Sequence, residues 1–137
     1  MFLAGKLQRL VDDLSMIEDP QERLTTILDR ARRTPPLQAG ERIDANRVRG
    51  CVSVVWLVGE VRADCCTFRG DAESPVVRGL VACVCDFFSS APVTEIAAST
   101  LDPLDALGIT RNLSPTRRNG LAAVRNAITT FAQAHMT

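Results

Sequence analysis

Four dipeptides punctuate this chain: Asp19-Pro20, Ser74-Pro75, Asp102-Pro103 and Ser114-Pro115. In each, a short side chain bearing an acceptor oxygen precedes a proline. The oxygen can accept from the free N–H groups that open a helix, and proline suits the first turn, where a missing N–H costs nothing. Each pair therefore predicts a helix start. Behind Asp19, Glu22 can complete a capping box. Leu24, Ile27, Leu28 and Ala31 then follow at helical spacing until Thr34-Pro35-Pro36 ends the run. Behind Ser74 come Val77, Leu80, Val81, Val84, Cys85 and Phe88. Asp102 opens a short helix that Gly108 can stop. Behind Ser114 come Leu121, Val124, Ile128 and Phe131. One more helix precedes the first pair, on the spacing of Leu3, Leu7, Leu10, Val11, Leu14 and Ile17.

The pattern changes after Pro36. A polar connection runs from Leu37 to Gly50 and carries Arg42, Arg47 and Arg49 in its second half. Val52-Ser53-Val54-Val55-Trp56-Leu57-Val58 is β-branched, aromatic and nearly all apolar, which predicts a strand. Gly59 to Asp64 reads as a turn region and Cys65–Arg69 as the return strand, closed by Gly70-Asp71. Asn46-Arg47-Val48 can add a short edge strand. Two helices, a small antiparallel sheet and three or four helices make an α+β domain. At 137 residues the chain fits one such domain, spanning 1–137.

Composition narrows the function. Formal net charge is zero and no basic run stands out, so a nucleic-acid partner is not expected. Aromatic residues make up 4%, leaving few platforms for stacked bases. No stretch approaches the roughly 20 apolar residues that cross a bilayer, so no membrane association is expected. The opening Met1–Lys6 has no charged segment followed by an apolar one, and the expected location is cytoplasmic. The chain contains no Gly-x-Gly-x-x-Gly, no Walker-type loop and no Gly-x-Ser-x-Gly elbow. The five cysteines, Cys51, Cys65, Cys66, Cys83 and Cys85, are odd in number and include no Cys-x-x-Cys. The sole histidine, His135, stands near the C-terminus. A disulfide framework and a zinc site are both unsupported, and no cofactor is expected in the chain. Cys66, Cys83 and Cys85 read as small core residues, with Cys65 the more exposed of the rest.

Cys51 is different. It follows Gly50, which permits a tight backbone path, at the join between an arginine-bearing loop and an apolar strand. Arg47 and Arg49 would favour its thiolate, the nucleophilic form. On residue physics alone, a reactive thiolate and a buried structural thiol fit equally.

Gly50-Cys51-x-Ser53-x-Val55-Trp56 resembles the active-site segment of the SufE and CsdE family of sulfur acceptors. Gly70-Asp71 followed by Val77-Arg78-Gly79-Leu80 is similar to that family's turn and central helix. Leu113-Ser114-Pro115-Thr116-Arg117-Arg118-Asn119-Gly120-Leu121 is similar to the start of its last helix. The three motifs stand in order, the two proline-marked N-terminal helices fit as well, and the resemblance covers nearly the whole chain. The departures are Val52 and Val54, where the family often has glutamines, and Glu73, near a common aspartate. The resemblance implies a SufE/IscU-like α+β fold and a persulfide carrier that works with a pyridoxal-phosphate cysteine desulfurase. Cys51 would take the sulfur, stimulate the desulfurase and relay sulfur to an iron–sulfur scaffold such as a SufBCD-like complex. The pyridoxal phosphate belongs to the desulfurase. Arg117 and Glu73 would pair to position the Cys51 loop. The alternative, kept open by the two valines, is a regulator that binds a desulfurase without carrying sulfur. A thiol peroxidase is poorly supported, because no Thr-x-x-Cys precedes Cys51.

Overall fold

The computed structural model describes residues 2–136. In chain order it contains α1 (Phe2–Leu14), α2 (Pro20–Ala31), β1 (Val55–Arg62), β2 (Cys65–Ala72), α3 (Pro75–Phe88), α4 (Val93–Ala98), α5 (Pro103–Ala106) and α6 (Pro115–Ala134). All four cap–proline pairs open helices. Asp19 accepts from the Gln21 N–H, Ser74 from Val77, Asp102 from Leu104 and Asp105, and Ser114 from Arg117. Helix α1 is capped from a distance: the Glu95 carboxylate accepts from the Phe2 and Leu3 amides at 3.3 and 2.9 Å. Helix α4 carries no such mark, because its N-cap is Pro92, whose side chain accepts nothing.

The sheet departs from its predicted limits. The strand expected over Val52–Val58 begins at Val55 and continues to Arg62. The expected turn over Gly59–Asp64 contracts to Ala63 and Asp64, both at positive φ (49° and 64°), the backbone of a two-residue hairpin turn. The return strand runs on through Gly70 and Asp71 to Ala72. The antiparallel register runs from Val55 opposite Ala72 to Arg62 opposite Cys65. The start is late for a physical reason. Beyond Ala72 the partner chain turns through Glu73 and Ser74 into α3, so Val52 and Ser53 have no strand to pair with, and Val52 stays 82% exposed. Arg47 makes a single bridge to Trp56, and the Val48 N–H donates to the Val55 carbonyl at 2.9 Å, just after a 3-10 turn at Asp44–Asn46.

Helix α3 occupies the centre, packed on β2, α2 and α6. Its Val77, Leu80, Val81 and Val84 join Leu121, Val124 and Ile128 of α6 and Val55, Cys66 and Phe68 of the sheet in one buried cluster. The result is an α+β architecture that holds the 49–54 loop between the start of β1 and α6. Among the described residues, no helix is long and apolar enough to cross a membrane.

Candidate functional site

The chain enters β1 through a sharp turn at Arg49 and Gly50. Gly50 has φ +82°, a backbone that L side chains rarely adopt. The turn sends Cys51 down onto α6 instead of into solvent. Its Sγ lies over Gly120: a Cβ at that position would stand 2.8 Å from the sulfur, closer than real Cβ atoms approach. Only a glycine leaves room for the sulfur on the helix backbone. Val55, Val77, Val81, Leu121 and Val124 surround it, and Arg117 lies at the edge. The space left around the sulfur is only about 10 Å³. Cys51 itself is half-buried.

All five thiols are free. Burial pushes Cys83 and Cys85 up to about 12, helped by the negative charge of Asp86 and, at Cys85, by Cys83. Burial also raises Cys66, with Cys65 adding to the effect. These three are poor nucleophiles near neutral pH, because the thiolate is the reactive form. Cys65 stands in β2. Cys51 is the cysteine that lies outside any helix or strand. Among the described residues, no cluster of three or more histidine, cysteine, aspartate or glutamate side chains could hold a metal ion.

The expected Arg117–Glu73 pair does not form. Arg117 is exposed and makes no ion pair among the described residues. Glu73 is exposed and faces a different hollow, with Leu28, Arg32 and Arg78. It helps hold the loop only through its backbone, whose N–H donates to the Val54 carbonyl at 3.2 Å. The side-chain anchor is instead Asp71, 3% exposed. Its carboxylate faces the Arg78 guanidinium at 3.2 Å and that of Arg42 at 3.6 Å. It also accepts from the Leu37 and Ala72 amides at 3.2 and 2.8 Å. Asp71 thereby ties the 37–46 connection to β2 and α3. Arg42, expected at the rim of the Cys51 loop, is used in that tie. Arg47 and Arg49 are exposed, make no ion pair among the described residues, and both line the hollow beside Gly50. Sequence reasoning passed over Asp71 by treating Gly70-Asp71 as a turn. The available signal was an acid at the end of one element and a base, Arg78, in the first turn of the next.

A family model described as the SufE Fe–S metabolism associated domain matches residues 8–132. The chain belongs to the SufE family. A SufE-like protein of Rhizobium etli is 34% identical over 129 residues, covering 90% of this chain and 86% of that one. Another, from Rhizobium meliloti, is 30% identical over 135 residues, covering 95% and 96%. The chloroplastic/mitochondrial SufE-like protein 1 of Arabidopsis thaliana is 32% identical over 122 residues, 87% of this chain but 32% of the plant protein. The solution structure of a hypothetical protein from Thermus thermophilus superposes with a TM-score of 0.76 over 94% of each chain at 15% identity, so the two share a fold. SufE membership assigns the chain to Fe–S metabolism, with a role in sulfur transfer.

Proposed function

We propose that Cys51 is the sulfur acceptor of this SufE-family chain. The thiolate attacks the outer sulfur of a persulfide held on a cysteine desulfurase. A new S–S bond forms at Cys51, the donor's S–S bond breaks, and the donor cysteine leaves as a thiolate. No net oxidation occurs and no cofactor of this chain takes part; pyridoxal phosphate serves the desulfurase. Release of the donor thiolate stimulates the desulfurase, and a second exchange relays the sulfur to an Fe–S scaffold, such as a SufBCD-like complex.

One observation carries the reading. Cys51 rests on Gly120 in an apolar recess, on a loop fastened near its end by the single Val54–Glu73 backbone bond. The recess covers the sulfur on its α6 side, and the light fastening would let it emerge. Cys66, Cys83 and Cys85 are held in regular elements with raised pKa values.

The test is mass spectrometry after incubation with a cysteine desulfurase and L-cysteine. The expected result is a one-sulfur adduct on Cys51, absent from Cys51→Ser, whose thermal stability stays close to that of the unmodified chain. Stimulation of the desulfurase with no adduct would instead establish the non-carrying regulator, and an adduct on another cysteine would move the acceptor site.

A further inference from the structure

The sheet has one closed edge and one open edge. In an antiparallel pair, a residue sends its N–H and C=O to the same side, and the side alternates along the strand. The Val55 carbonyl points away from β2, since it accepts from the Val48 N–H. Leu57, Gly59 and Val61 therefore also turn their N–H and C=O outward. Their partners confirm the phase. Cys66, opposite Val61, donates outward to the Ala91 carbonyl at 3.0 Å, and Phe68, opposite Gly59, to Ser89 Oγ at 3.0 Å. The 89–92 segment thus closes the β2 edge. On β1, the Arg47–Trp56 bridge reaches as far as the Leu57 N–H; beyond it, the outward groups of Gly59 and Val61 have no hydrogen-bond partner among the described residues. The chain that would continue the ladder from Arg47 turns away instead as the 3-10 turn at Asp44–Asn46.

A groove of about 690 Å³ lies along this open edge. One wall is Leu57 and Gly59. The other is a stripe of α6, including Ala122, Ala123, Asn126 and Ala127, whose small side chains leave depth for an extended backbone. Phe131 underlies Gly59 so closely that a Cβ there would stand 2.8 Å from its ring. Arg47 and Arg49 close the end next to Gly50, and neither makes an ion pair among the described residues. Unpaired edge groups are a template for an added strand.

The geometry points to a peptide-binding groove: an extended, acid-bearing segment of a protein partner docks along Leu57–Val61 as a third strand, with a carboxylate against Arg47 and Arg49. The charges argue against a second copy of this chain. Antiparallel self-pairing through this edge would place Arg62 of one copy beside Arg47 of the other, setting like charges together. The inference goes beyond sulfur transfer and does not need the Cys51 thiol. It can be tested in Cys51→Ser, so its outcome is separate from that of the acceptor reading.

The experiment is amide hydrogen exchange by NMR on the full chain, with the peptide acetyl-Glu-Thr-Val-Thr-Val-Thr-Glu-amide and a copy N-methylated at alternate residues. Alone, the protein should exchange the Gly59 and Val61 amides fast and those of Val58 and Glu60 slowly. The peptide should slow the first two by about tenfold or more. The N-methylated copy should not, nor should the plain peptide with Asn126→Trp, a change at an exposed position that fills the groove. Arg47→Glu with Arg49→Glu should weaken binding by about tenfold. The inference is overturned if the Gly59 and Val61 amides do not respond to the plain peptide, or if the N-methylated copy protects them equally. Protection that grows with protein concentration in the absence of peptide would also overturn it, by naming a second copy as the occupant.

Discussion

Replacing Gly120 with alanine tests how the Cys51 loop is held. The added methyl would stand 2.8 Å from the Cys51 sulfur, against 3.4–4 Å for ordinary contact, so one side must yield. Helix α6 is 20 residues long and anchored next to this position by the buried Leu121 and Val124. The loop has only the Val54–Glu73 bond near its end, so the loop should move. Overpacking costs about 1–3 kcal/mol, and here that cost falls on the closed loop alone. A bias of that size raises the open population by about 5- to 150-fold. The helix itself gains up to about 1 kcal/mol from losing an interior glycine. Gly120→Ala should therefore speed iodoacetamide alkylation of Cys51 by about tenfold or more, read site by site by mass spectrometry, with no loss of melting temperature. Unchanged alkylation with a lowered melting temperature would show that the helix had yielded and that Gly120 is no gate.

Three further predictions follow from the same structure. Asp71→Ala leaves the Leu37 amide without its acceptor and the Arg78 guanidinium with the Thr34 carbonyl alone, and should cost about 3 kcal/mol in urea unfolding, the low end for a broken buried pair because both arginines are partly exposed; a cost under about 1 kcal/mol would remove its anchoring role. Burial holds Cys83 and Cys85 near 12 in the folded chain against an ordinary 9.0, so above about pH 9 the unfolded state binds fewer protons and stability should fall as pH rises, with no such slope just below; Cys83→Ala with Cys85→Ala should flatten the decline, and a urea midpoint equal at about pH 8 and about pH 10 would contradict it. Arg47→Ala with Arg49→Ala should slow sulfur transfer from a desulfurase at low salt and converge with the unmodified protein at high salt, because exposed rim charges act mainly on association; a difference independent of salt would assign them another role.

The helices were legible because their starts are written in adjacent residues. A cap oxygen, a proline and an apolar stripe are local facts, and Asp19, Ser74, Asp102 and Ser114 each act as read. Helix α4, N-capped by Pro92 without a cap oxygen, has no such local mark, so a fourth helix after the sheet is expected without being placed. The sheet was less legible because its limits are set by the partner strand. Val52 is as β-branched as Val55, yet β2 ends opposite Val55 and leaves Val52 in solvent. The hairpin turn falls on Ala63-Asp64, which lacks the usual asparagine–glycine mark. At the site, Cys51 stood out by its place after Gly50. Asp71 did not, since its role depends on Leu37, 34 positions before it, and on Arg78 in the next helix meeting it in space.

The roughly 10 Å³ beside the Cys51 sulfur has a consequence of its own. A space of that size holds one water at most, and a sulfur atom is larger than a water oxygen. The recess works as a gauge of load. An unmodified thiol fits, but a sulfur carrying any further atom must widen the recess or leave it. On the proposed acceptor reading, a loaded and an empty Cys51 would therefore give the protein two different outlines at the same loop, which a partner touching only the surface could distinguish.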